Sequence, residues 1–261
     1  MTFNVLCSFC ADPLYDSWAE RLDYFPDLFA RHDPDLMGLQ ELVKASEVDT
    51  LLAATPGYGA IYWSSASSSY PDATLLYRSE RFDVEEQGSY WLSPTPDVAN
   101  STGFAAPQLA RLVVWARLVD HVDGESVFVA STHFDNNSPS QALSAPLVLE
   151  RTAPEADEHP VIVVGDFNSQ PADTAYQTLV EGDGKQGFHL QNAQDLAEDW
   201  GVDSNQSPTP SYDLAERIDH IFVAGKSVDW TVPKWTADLH VYGTKDRYPS
   251  DHRAIIAELE R

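Results

Sequence analysis

The segment Val161-Ile162-Val163-Val164-Gly165-Asp166-Phe167-Asn168 constrains the fold more than any other. Its four successive β-branched residues read as a strand buried on both faces. Pro160 precedes the run, and proline is tolerated at a strand start. Gly165 removes a side chain where the strand ends. Asp166 and Asn168 follow with one residue between them, so in an extended chain both point to one face. A carboxylate and a carboxamide at the end of a buried strand are costly to hold without a use. The same residues favour an Asx-type turn, and the stretch alone leaves both readings open.

Around this strand the chain alternates irregularly. Strands are expected over residues 2–6, 36–41, 58–63, 74–77, 82–92, 109–119, 126–132, 217–223, 228–235 and 254–259. Helices are expected over residues 17–31, 48–54, 141–151 and 174–180. Pro26 must kink or split the first helix, and Asp16 or Ser17 can cap it. Asp123-Gly124 is a good hairpin turn between residues 109–119 and 126–132. Residues 64–69, 94–107, 182–187 and 199–211 read as loops. Hydrophobic residues make up 43% of the chain, enough for a sizeable core. No composition shift marks a boundary, so residues 1–261 read as a single domain of α+β class, two sheets with helices outside. No run approaches the ~18 apolar residues of a membrane span.

Charge narrows the partners. Against 16 Lys and Arg stand 41 Asp and Glu, a net charge of −25. Such a field repels polyanions and disfavours duplex nucleic acid, and it equally suits the solubility of a protein from a salt-rich source, so the charge alone leaves both readings open. Lys44, Lys185, Lys226, Lys234 and Lys245 are scattered and form no basic patch. Cys7 and Cys10 form a C-x-x-C, which suits a local disulfide, a redox pair, half a zinc site or a chance spacing. No second C-x-x-C completes a zinc ribbon. The chain begins inside a strand with no signal peptide, which leaves room for a lost secretory leader and assigns no compartment.

Asn4, Glu41, His133, Asp166, Asn168, Asp219, Asp251 and His252 share one property. Each lies in or at the end of an expected strand, beside an apolar run. Gathered at one rim, four carboxylates would repel one another without a cation or added protons. Oxygen-rich ligands suit Mg²⁺, with Mn²⁺ or Ca²⁺ as alternatives, better than zinc. Trp63, Tyr70, Trp91 and Phe104 lie in or near expected loops and suit either a pocket wall or ordinary packing.

Six segments resemble, in order, the motifs of the endonuclease/exonuclease/phosphatase superfamily. They are Thr2-Phe3-Asn4-Val5, Gly38-Leu39-Gln40-Glu41, Ser131-Thr132-His133-Phe134-Asp135, Val164-Gly165-Asp166-Phe167-Asn168, Arg217-Ile218-Asp219-His220-Ile221 and Ser250-Asp251-His252-Arg253. The resemblance implies a four-layered α/β sandwich, two packed mixed β-sheets flanked by helices, that cleaves phosphate esters with a divalent metal. The histidine of Thr132-His133-Phe134-Asp135 resembles the branch with DNase I and the sphingomyelinases. One departure is the segment Asn136-Asn137-Ser138-Pro139-Ser140-Gln141, after which the first arginine is Arg151. Many relatives carry an arginine before that helix, so the substrate contacts of this loop stand in question.

By this resemblance Glu41 is a direct metal ligand, with Asn4 and Asp251 in or beside the coordination shell. His252 activates water, oriented by Asp219. Asp166 positions water or assists the leaving group. Asn168 and His133 donate hydrogen bonds to phosphoryl oxygens, and Arg111 adds a charge-assisted contact. The expected activity is a metal-dependent phosphodiesterase or phosphatase acting on a small-molecule or lipid-headgroup phosphoester. A DNase I-like nuclease and a non-catalytic binding protein are the alternatives.

Overall fold

The computed structural model describes residues 1–10, 12–104, 109–184 and 187–261. Parts of two expected loops, at residues 105–107 and 185–186, lie outside the described residues. Among the described residues, thirteen strands form two mixed sheets. The larger sheet runs, in spatial order, β10 (Ala197–Asp203), β12 (Thr231–Asp238), β13 (Ile255–Glu260), β1 (Thr2–Asn4), β2 (Leu36–Gln40), β4 (Ser69–Arg78) and β3 (Tyr58–Ser64). The smaller runs β5 (Phe82–Trp91), β6 (Leu112–Asp120), β7 (Ser126–His133), β8 (Val161–Asp166), β11 (Asp219–Ala224) and β9 (Gln191–Asn192).

The sheets pack face to face because their strands alternate. Leu75, Val114, Val129, Val164, Ile221, Trp235 and Ile255 fill the space between them. The outer face of the larger sheet offers Phe3, Met37 and Leu39 to Phe25, Leu28 and Leu51 of helices α2 (Phe25–His32) and α3 (Ala45–Ala54). The outer face of the smaller sheet offers Phe128, Val163 and Phe222 to Val148, Leu149 and Leu179 of α4 (Ser140–Glu158) and α5 (Thr174–Glu181). This is the expected four-layered sandwich. A Cβ at Gly38 would lie 2.4 Å from Val164 Cγ2, so the sheets approach closely where β2 crosses β8.

Sequence and structure diverge at several elements. Pro26 splits the first expected helix into α1 (Trp18–Arg21) and α2, sitting in the first turn of α2, where its missing N–H costs nothing. Ser17 caps α1 with Glu20 in a reciprocal box. Helix α4 continues past residue 151 through Pro154. Strand β4 starts at Ser69 rather than residue 74, because Pro71 and Asp72 disguise its first half. Residues 199–203, expected as loop, belong to β10, an edge strand whose Glu198 and Asp199 suppress the apolar signal. The short α6 (Ala193–Leu196) precedes it.

Register carries the polar residues to one end. β8 pairs parallel with β7 so that His133 faces Asp166, and antiparallel with β11 so that Asp219 faces Asp166. In the other sheet β1 and β2 are parallel, with Asn4 opposite Gln40 and Glu41 one residue beyond. Ser250, Asp251 and His252 precede β13, beside the end of β1.

Candidate active site at the seam between the sheets

The two sheets each supply half of a polar rim, and hydrogen bonds join the halves. Asn4 is fully buried at the end of β1. Its Nδ2 donates to Glu41 Oε1 and to Asp166 Oδ2, both at 3.0 Å. Its Oδ1 accepts from the Leu6 amide at 3.1 Å. Glu41 Oε2 accepts from the Cys7 amide at 2.8 Å. Leu6, Glu41 and Asn168 all adopt left-handed backbone, with φ of 58°, 69° and 46°. That conformation is costly for Leu and Glu, and such strain concentrates at functional sites. It turns Glu41 back over the end of the sheet.

Asn168 does not continue the strand, as the extended reading of this segment required. The left-handed turn brings its amide N–H to Asp166 Oδ1 at 2.8 Å, the Asx turn that the sequence also allowed. Its side-chain Nδ2 donates to Phe134 O at 3.0 Å. Asp166 is therefore gripped by Asn4 on one oxygen and by the chain ahead on the other. His133 Nε2 and His252 Nε2 approach Asp166 Oδ2 at 3.5 and 3.7 Å.

His252 Nδ1 lies 2.8 Å from Asp219 Oδ2, a bond from one sheet to the other. Burial alone would lower the His252 pKa. The charge and hydrogen bond of Asp219, with Asp166 and Asp251, outweigh burial and push it up to about 10. Burial pushes the Asp219 carboxyl up, and His252 opposes that shift. Asp219 Oδ1 is buried with no hydrogen-bond partner among the described residues.

Asp72 was missed in the sequence because it sits inside a strand that its own Pro71 conceals. It is buried on β4, with Oδ1 at 3.1 Å from His133 Nδ1 and Oδ2 at 2.7 Å from Arg111 Nη1. Burial alone would raise its pKa, but His133 and Arg111 hold it well below the usual carboxylate range. Arg111 lies just before β6, 2.9 Å from His133 Nδ1, so much of its charge is spent on Asp72. Arg21 was also missed. Its buried guanidinium donates to Val5 O, to Leu6 O at 2.8 Å and to Pro249 O at 3.1 Å, tying the loop after β1 to the segment before His252.

The structure thus gathers Asn4, Glu41, His133, Asp166, Asp219 and His252, with Asn168 behind Asp166. Asp251 stands at the exposed edge and accepts from Ser250 Oγ at 3.2 Å. Trp63 and Tyr70 pack on the buried Trp91 and belong to core packing.

A divalent cation fits this donor set. Ligand atoms of Asp166, Asp219 and His252 lie within 4.8 Å of one another. Each Glu41 oxygen receives one N–H, which leaves a lone pair on each for a hard ion. The buried Asp219 oxygen still lacks a donor or counter-charge, and the carboxylates around His252 favour a positive charge at this rim. Cys7 and Cys10 also lie near Glu41, but they are joined in a disulfide and offer no thiolate.

Two helix-flanked mixed sheets with an acidic, imidazole-bearing seam define a DNase I-like α/β sandwich. The chain belongs to the Endonuclease/Exonuclease/phosphatase family, whose model matches residues 1–252. Members of this family are hydrolases of phosphoester bonds, generally dependent on divalent metals. The chain is similar to an endonuclease/exonuclease/phosphatase from Bacteroides vulgatus, 28% identical with a TM-score of 0.82, over 99% of this chain and 97% of that one. It shares its fold with a mannosyl-6-phosphatase from Bacteroides thetaiotaomicron, 24% identical with a TM-score of 0.82, over 100% and 98%. It also shares its fold with the human Nocturnin catalytic domain solved with a bound sulfate, 18% identical with a TM-score of 0.71, over 99% and 92%. Comparison with curated protein sequences finds no match. Among the described residues, no helix is long and apolar enough to cross a membrane.

Proposed function

We propose that this chain, acting as a single catalytic domain, hydrolyses a small-molecule or lipid-headgroup phosphoester with Mg²⁺. The carrying observation is the Asp219–His252 bond set beside Asp166 in a rim of excess negative charge. Glu41 would hold the ion, with Asp251 contributing from the edge and Asn4 fixing the Glu41 carboxylate from beside it. The bound ion supplies Lewis acidity to a phosphoryl oxygen.

The protein's own groups do the rest. His252 takes a proton from water at Nε2 while Asp219 steadies the imidazolium through Nδ1. Uncountered, the carboxylate field keeps His252 protonated and useless as a base, so a cation at the rim and a neutral His252 belong together. Asp166, held by Asn4 and the Asn168 amide, positions water or assists the leaving alcohol. His133, clamped from behind by Asp72 and Arg111, presents Nε2 to the rim, where phosphoryl charge builds. Asn168 has one amide hydrogen left for the same purpose.

EDTA should abolish hydrolysis and Mg²⁺ or Mn²⁺ should restore it. Glu41→Gln keeps the size, removes the charge and should raise the metal requirement steeply. A metal-free protein fully active in EDTA would end this reading.

A further inference from the structure

The C-x-x-C turn lies against a residue of the rim, and the proposed hydrolysis makes no use of its sulfurs. Cys7 and Cys10 are joined in a disulfide, with Cα atoms 5.1 Å apart. Their sulfurs and a Glu41 oxygen lie within 4.8 Å of one another. We propose that opening this disulfide creates a soft-metal site of Cys7 Sγ, Cys10 Sγ and the Glu41 carboxylate. The site would take Zn²⁺ or Cd²⁺ and withdraw Glu41 from the rim.

Bonds other than the disulfide hold the turn. The Cys10 amide donates to Cys7 O at 3.1 Å. The Cys7 amide donates to Glu41 Oε2 at 2.8 Å, and Ser8 Oγ to Glu47 Oε1 at 2.6 Å. Arg21 fixes Val5 and Leu6 immediately upstream. Reduction therefore leaves both cysteines and Glu41 in place. With a Zn–S bond of about 2.3 Å, two sulfurs on one tetrahedral ion sit under about 4 Å apart, within reach of side-chain rotation alone. Water completes the fourth position.

Access is uneven. Cys10 is exposed and Cys7 is buried. The thiolate of a dithiol reductant attacks Cys10 Sγ, and Cys7 leaves as thiolate. The second thiol of the reductant then resolves the mixed disulfide. Two electrons and two protons pass to the cysteines, and the dithiol departs as its own disulfide. The incoming metal displaces the thiol protons. Thiolates favour Zn²⁺ and Cd²⁺ strongly over Mg²⁺, so the two sites discriminate by ligand softness while sharing Glu41. The functional consequence rests on Glu41 serving the phosphoesterase reading; the soft-metal site itself does not.

The test is a Cd²⁺ titration of the full chain, reduced with dithiothreitol and desalted without oxygen, against the oxidised protein. The reduced protein should develop a thiolate-to-cadmium charge-transfer band that saturates at one equivalent. The oxidised protein and reduced Cys10→Ser should lack that band. Reduced Glu41→Gln should keep the band with affinity weaker by at least about tenfold, the low end of the loss when even a supporting group leaves a metal site. No band in the reduced protein, an equal band in Cys10→Ser, or loss of near-ultraviolet circular dichroism on reduction would overturn the proposal. A protein without Mg²⁺-dependent hydrolysis would leave these absorbance results untouched, so the two readings fail separately.

Discussion

At the scale of single residues, the rim works through pairs. Asp219 and His252 share one bond and one proton, so they should behave as a unit. Asp219→Asn and His252→Gln should each cost ~10²–10⁴-fold in rate, the usual range for general acid–base groups. The double variant should be little worse than the worse single one. Independent, multiplying losses in kcat would separate their roles. Both residues were legible in the sequence because each ends or begins an apolar run, where a polar residue stands out. Asp72 and Arg21 were not. Asp72 lies within a strand, and its value comes from partners 39 and 61 positions away. Arg21 resembles any helix arginine until its acceptors, carbonyls at Val5, Leu6 and Pro249, are seen. A side chain whose partners come only from tertiary contact leaves no local trace.

At the scale of elements, the strands were read best where apolar residues run unbroken, as in β8. They were read worst where charge or proline interrupts them, as in β10 and the first half of β4. β11 shows a further cost of burying such an element. His220 points to the outer face of the smaller sheet, among Phe167, Tyr176 and Phe222. Its Nε2–H donates to Ser169 O at 2.9 Å and its Nδ1 accepts from Asn192 at 3.1 Å, so it is held neutral. Burial pulls its pKa down to about 3. The unfolded chain binds this proton near pH 6.5, while the folded chain refuses it until about 3. Its contribution to stability is therefore full above pH 6.5 and falls as pH drops towards 3, by up to ~1.4 kcal/mol per pH unit. His220→Phe should be less stable at neutral pH, since Ser169 and Asn192 lose a partner. It should also lack this slope. Urea unfolding at pH 7 and pH 5 checks both; equal slopes in the two proteins would show that His220 does not titrate on unfolding.

At the scale of the whole molecule, charge separates substrates that the fold alone does not. The net charge of −25 comes with arginines already engaged. Arg31, Arg78, Arg81, Arg111, Arg117, Arg151, Arg217 and Arg261 all face carboxylates. Among the described residues, few cations are left to displace counterions from a duplex. Small or headgroup phosphoesters should therefore give far higher kcat/KM than plasmid DNA. Added salt should leave any DNA cleavage unchanged or slightly faster. Efficient plasmid cleavage that collapses with salt would instead promote the nuclease. The seam carries one more consequence. Asn4 to Asp166 and Asp219 to His252 are bonds between sheets, so an ion held by Glu41 beside Asn4 would place its counter-charge where the two halves of the sandwich close on each other. Mg²⁺ at about 100 times its Kd should then add roughly 2.7 kcal/mol to unfolding. The melting temperature should rise with Mg²⁺, and Glu41→Gln should blunt the rise. A wild-type melting temperature indifferent to Mg²⁺ would place the ion elsewhere. Chelation should then do more than silence the proposed chemistry: it should leave the two sheets easier to pry apart at the rim they share.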